Sequence, residues 1–231
     1  MRFQELEGDD SSSRAATVAA VRLLLSSRKL AETMDLARED PRVVQRYGTA
    51  KPTRSQYEAA PKSPQHLLLA RRLVEAGVRV VTVAFGAWDW HGDRAETLDM
   101  MAKEHLPDLD RTLSTFIDDL DQRGMLEDTT VLVWGEMGRT PKINKRGGRD
   151  HWPNVSSALL VGGGLKRGIV LGATDRHAGE PKQRPVHVEE IFATLYRNLG
   201  IDVGTATIVD HSGRPHYLVD HGAKPIQELI G

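Results

Sequence analysis

Three short runs rich in β-branched and other apolar residues, VRVVTVAF (78–85), TTVLVW (129–134) and SSALLVGGG (156–164), alternate with segments of helical periodicity. A near-continuous β-branched run reads as a strand buried on both faces. Strands alternating with helices predict an α/β fold, with a mostly parallel central sheet flanked by helices. In residues 11–40 apolar positions recur at spacings of three and four, with Ser11 to Ser13 as N-cap candidates. Residues 64–77 start with Pro64 and end at Gly77, the expected punctuation of a helix. Residues 97–123 carry Leu109, Leu113, Phe116, Ile117 and Leu120 on one stripe, with the acids read as a solvated face. A last helix is predicted at 187–200, a short strand at 168–172, and a closing strand and loop after 201. The polar stretch 47–62 holds Pro52 and Pro61 and reads as a linker. The expected organisation is a helical segment and linker over 1–62 and an α/β core over 63–231.

Composition removes several classes of function. The 231 residues include 31 basic and 32 acidic side chains, for a net charge of -1, so there is no electrostatic case for nucleic acid or an anionic membrane. There is no cysteine, which excludes disulfides, a thiolate nucleophile and cysteine-based zinc sites. No run approaches the roughly 18 apolar residues of a membrane span. The opening MRFQELEGDDSSSR lacks the basic start and apolar stretch of a signal peptide.

The chemistry concentrates where the apolar runs end. In an open α/β sheet, ligands bind beyond the carboxyl ends of the strands. VRVVTVAF leads into GAWDWHGD, with Asp89 and His91; TTVLVW leads into WGEMGRTPKINKRGGRDHWP, with Glu136, Arg139, Arg149, Asp150 and His151. Two imidazoles with two or three carboxylates suit a divalent metal: zinc, manganese or calcium. Asp89, His91, Glu136 and His151 are the candidate ligands, and Asp150 could orient His151 or ligate. Arg139 and Arg149 carry planar forks that match phosphate or sulfate oxygens. Plainer readings stand beside these: Asp89 as an Asx-turn former, Glu136 as the ion-pair partner of Arg139, and His151 as a packed loop histidine. Gly162–Gly164 is read as a tight strand exit, because no Lys-Ser/Thr follows as a P-loop demands.

From about residue 63 onward the chain resembles the domain-of-unknown-function 1501 family, bacterial proteins placed in the alkaline phosphatase/sulfatase-like superfamily. The resemblance lies in LLLARRLVEAGVRVVTVAFGAWDWHG, LDRTLSTFIDDLDQRGMLEDTTVLVWGEMGRTPKIN and GGRDHWPNVSSALLVGGGLKRGIVLGATD. It implies the superfamily fold, and a metal-dependent hydrolase of phosphate or sulfate esters acting on a small anionic ester or a sulfated or phosphorylated glycan. It implies metal ligation by Asp89, His91, Glu136 and His151, and export from the cytoplasm. Where superfamily enzymes carry an Asp-His pair followed by Gly, this chain reads Gly135-Glu136-Met137-Gly138-Arg139. The opening strand and nucleophile loop of those enzymes have no counterpart here. The resemblance therefore points to the C-terminal portion of such a protein, with Thr140 and Ser156 unassigned as nucleophiles. The alternative is a non-catalytic module that keeps the fold and binds an anion, a glycan or a protein.

Overall fold

A computed structural model describes residues 27–48, 60–86, 88–92, 97–220 and 222–230. It contains two compact units, Met1–Ala87 and Trp88–Gly231. The expected boundary at residue 62 falls inside the first.

In the first unit, α1 (Arg28–Met34), α2 (Pro41–Tyr47) and α3 (Pro64–Glu75) are helical, and both α1 and α2 contact α3. Ser27 caps α1 by accepting from the Leu30 amide, and Asp40 caps α2 by accepting from the Arg42 amide. Pro64 opens α3, where a missing N–H costs nothing. The apolar positions of α3 place Leu67 and Leu68 in the core, together with Tyr47 from α2. Arg71 is also buried, at 1% exposure, and donates to Glu39 at 2.5 Å and Glu75 at 2.6 Å. Arg72 adds a 2.9 Å contact to Glu39 and donates to the carbonyls of Thr33 and Glu32, both at 2.7 Å. Burying these charges is tolerable because each finds a partner. Of the helix expected over 11–40, residues 11–26 lie outside the described residues, as do 49–59 of the linker.

The segment 78–85 corrects an expectation. It is not a strand: no ladder partner lies alongside it among the described residues, and Val80 is 71% exposed. A strand exists only through hydrogen bonds to a neighbour, which apolar composition alone does not supply.

The second unit begins with an irregular loop, 88–92. Then α4 (Leu98–Met100) runs through a π turn (Met101–His105) into α5 (Leu106–Gln122). Pro107 accounts for the widened turn, since it lacks an N–H and its ring crowds the carbonyl four residues back. Phe116 and Leu120 are buried as the stripe predicts. Asp119, expected on the solvated face, is buried as well, and Arg123 donates to it at 2.9 Å.

β1 (Val131–Trp134) pairs with β4 (Ala158–Val161), Val131 opposite Val161 and Trp134 opposite Ala158. Within the long connection lies a second ladder, β2 (Gly138–Arg139) with β3 (His151–Trp152). β5 (Ala173–Thr174) pairs with β6 (Pro181–Gln183), and β7 (Thr207–Val209) with β8 (Pro215–Tyr217). All four pairs are antiparallel. The chain is thus mixed α/β, and the mostly parallel central sheet is not what the described residues form. The reason is connectivity: between β1 and β4 lies a folded-back hairpin, whereas a parallel pair needs a crossover. Among the described residues the expected strand at 168–172 likewise has no ladder partner, and Val170 is 95% exposed.

α6 (Val188–Asn198) starts where Glu190 folds back to accept from the His187 amide at 3.0 Å. Asn198 donates to Thr130 beside β1, and Thr194 accepts from the amide of buried Ile226. Leu165 bridges to Ile230, which ties the end of the chain to the exit of β4; in place of the closing strand expected after 201, the described residues form the exposed β7–β8 pair.

Candidate metal centre

The loop 88–92 and the hairpin tip 139–151 are pressed together backbone to backbone. The Arg149 amide donates to the Trp90 carbonyl at 2.8 Å, and Asn144 Nδ2 donates to the His91 carbonyl at 3.0 Å. Trp90 is buried and anchors its loop. Gly148 makes the approach possible: a Cβ there would lie 2.1 Å from the His91 carbonyl carbon and 2.2 Å from the Gly92 nitrogen. Gly92, at φ +84°, is equally confined on the other side.

This contact gathers three ligating side chains. Asp89 Oδ1 lies 2.7 Å from His151 Nε2 and 3.0 Å from His91 Nε2, and the two imidazole nitrogens lie 3.2 Å apart. These residues can offer ligand atoms all within 4.8 Å of one another, and could hold a metal ion. Zinc bonds of about 2.0–2.1 Å in tetrahedral array set ligand atoms about 3.3 Å apart, so the sides of the triangle need to open by between about 0.1 and about 0.6 Å. Side-chain exposures of 43% for Asp89 and 49% for His151 leave one side of the cluster open to a further ligand.

Asp150 supports the set from behind. Its Oδ1 lies 2.8 Å from His91 Nδ1 and accepts from Asn144 Nδ2 at 3.2 Å. It therefore orients His91, not the adjacent His151. Neighbours along an extended chain project to opposite sides, so Asp150 and His151 diverge. A carboxylate behind a ligating imidazole is the usual partner of a metal-bound histidine.

Electrostatics keep the acids ionised. Burial works to raise the Asp89 pKa, but hydrogen bonds from His151 and Arg139, and the Arg139 and His91 charges, outweigh it and hold the carboxyl at about 2. The hydrogen bond from His91 holds Asp150 below its ordinary range.

Glu136 lies outside the cluster: it is exposed in the link between β1 and β2 and has no ion-pair partner among the described residues. Arg139 does not pair with it. Its Nη2 donates to Asp89 at 2.7 Å and to the Trp88 carbonyl at 2.8 Å. Arg149 Nη1 donates to the carbonyls of Thr140 and Pro141 at 2.6 and 2.5 Å. Both guanidinium groups thus bind acceptors of the chain itself. Sequence reasoning missed Asn144, Trp90 and the specific need for Gly148. An Asn four residues before a Gly in a turn was the available signal for the first.

Two imidazoles and one carboxylate suit zinc or manganese better than calcium, which takes oxygen ligands.

No curated protein and no solved structure is similar enough to match. The order of these segments does identify a family: the profile described as "Protein of unknown function (DUF1501)" matches residues 2–230, and the chain belongs to that family.

Proposed function

We propose that Asp89, His91 and His151 bind one divalent metal, zinc or manganese, and that the centre hydrolyses a phosphate or sulfate ester. The observation that carries the metal is at His91. Its two ring nitrogens face carboxylate oxygens, Nδ1 on Asp150 at 2.8 Å and Nε2 on Asp89 at 3.0 Å. Carboxylates only accept, and a neutral imidazole has one N–H. The second contact needs either another ring proton or a cation, and His151 Nε2 converges on the same Asp89 oxygen.

A metal here would polarise an ester oxygen and acidify a bound water. The chain's own part is to hold Asp89 ionised, to fix the His91 ring through Asp150, and to leave the outer side open. The reading draws its reaction class from the resemblance to the alkaline phosphatase/sulfatase-like superfamily, and placement in that superfamily is part of the proposal. A second reading, anion binding without turnover, is favoured by the position of Glu136 outside the cluster, which reduces the set of ligating side chains there to three.

The test is hydrolysis of p-nitrophenyl phosphate and p-nitrophenyl sulfate by zinc- or manganese-loaded protein. The proposal predicts metal-dependent turnover that disappears in His151→Ala. Metal-loaded protein that binds phosphate or sulfate with no turnover selects the second reading.

A further inference from the structure

We infer that Asn144 is a positioning residue of the metal centre, one that sets the orientation of His91 from both ends of that residue. The inference rests on the metal reading above. The Asn144 amide uses its full hydrogen-bonding capacity: two N–H donors and two acceptor sites on the oxygen. Nδ2 donates to the His91 backbone carbonyl at 3.0 Å and to Asp150 Oδ1 at 3.2 Å. Oδ1 accepts from the Arg146 amide at 2.9 Å and the Gly148 amide at 3.1 Å. The same Asp150 oxygen faces His91 Nδ1.

The two halves of the amide do different things. The oxygen folds the hairpin tip, an Asx-type turn. The nitrogen reaches out of the tip to the ligand loop. It fixes where the His91 backbone sits and where the carboxylate behind its ring points. Asp150 is half exposed, with a side-chain exposure of 51%, so the Asn144 donor restrains a carboxylate that solvent would otherwise leave several rotamers. A ring held by a fixed Nδ1 partner presents its Nε2 lone pair in one direction. Asn144 touches no proposed ligand atom itself, and acts through Asp150 and the His91 main chain.

Asn144→Ser separates these roles. A serine hydroxyl can still accept within the turn but is too short to reach Asp150 or the His91 carbonyl. The experiment is a double-mutant cycle on zinc affinity, measured by competition with a chromophoric chelator in wild type, Asn144→Ser, Asp150→Ala and the double variant. Thermal unfolding of each checks the fold. Outer partners of metal-bound histidines are typically worth about 10–100-fold in affinity. Asn144→Ser is expected to weaken zinc at least about 10-fold, and markedly less than that once Asp150 is already Ala, because the route through Asp150 is gone. Unchanged affinity in Asn144→Ser, or an equal loss in both backgrounds, overturns the inference while leaving the metal site standing. Should Asn144→Ser unfold, Asn144→Asp, which keeps both turn acceptors and loses both donors, takes its place in the cycle with the same expected outcome. Wild-type protein that binds neither zinc nor manganese overturns the metal reading and this inference together.

Discussion

The contact between the two site loops can be tested at a single atom. Gly148→Ala adds a Cβ that would lie 2.1 Å from the His91 carbonyl carbon, 2.2 Å from the Gly92 nitrogen and 2.5 Å from the Trp90 oxygen. All three are backbone atoms, so no side chain can swing aside. Relief requires the loops to separate. That loses the Arg149–Trp90 backbone hydrogen bond and the Asn144–His91 hydrogen bond. Each is worth about 1 kcal/mol, and residual overpacking adds about 1–3 kcal/mol, so the expected loss is about 3–5 kcal/mol. Gly147→Ala is the control. Gly147 sits at φ +80° with nothing within 4 Å of a Cβ, so its substitution meets only the left-handed backbone penalty of about 1–2 kcal/mol. Urea unfolding gives both values, and zinc titration reports the ligand geometry. Gly148→Ala should be the more damaging in both assays. A Gly148→Ala protein as stable as Gly147→Ala, with wild-type zinc affinity, would refute the claim that backbone contact between the loops builds the site.

Three further outcomes follow from other parts of the structure. His151→Ala removes one of three ligand groups and should abolish stoichiometric zinc binding, read by dialysis and elemental analysis, while the protein stays folded. The Asp89 carboxyl, at about 2 in the folded chain against about 3.9 when unfolded, releases its proton more readily when folded. Its contribution to stability is present above about pH 4 and is lost as the pH falls through about 2, so acid titration of metal-free Asp89→Asn should show a shallower decline over that window than wild type. In the first unit, Glu39→Ala leaves the 1% exposed Arg71 without its closest partner and should lower stability by about 3 kcal/mol or more in urea unfolding. A loss below about 1 kcal/mol would mean that the partners Arg71 keeps, Glu75 among them, satisfy it.

The helices were legible because their ends carry local chemistry. Pro64 and Gly77 bracket α3, and the stripe through Phe116 and Leu120 is the buried face of α5. The strands were less so. TTVLVW and SSALLVGGG contain real strands, β1 and β4, but nothing in either run announces that the other is its antiparallel partner. VRVVTVAF has the composition of a strand and, among the described residues, no partner. At the site, Asp89, His91 and His151 could be chosen because each follows an apolar run in a glycine-bearing loop, and the structure brings them together. Glu136 met the same criterion, yet its place in the exposed link before β2 keeps it out of the cluster. Adjacency in sequence points Asp150 at His151, but the imidazole it supports is that of His91, 59 positions away, and only the folded hairpin makes them neighbours.

Metal content of the untagged protein tests the central claim most directly. After reconstitution with zinc or manganese and removal of excess ion, elemental mass spectrometry should find about one equivalent per chain in wild type and almost none in an Asp89→Ala/His151→Ala double variant. Wild-type protein that retains neither metal, or a double variant that retains as much as wild type, would contradict the assignment of Asp89, His91 and His151 as a metal centre.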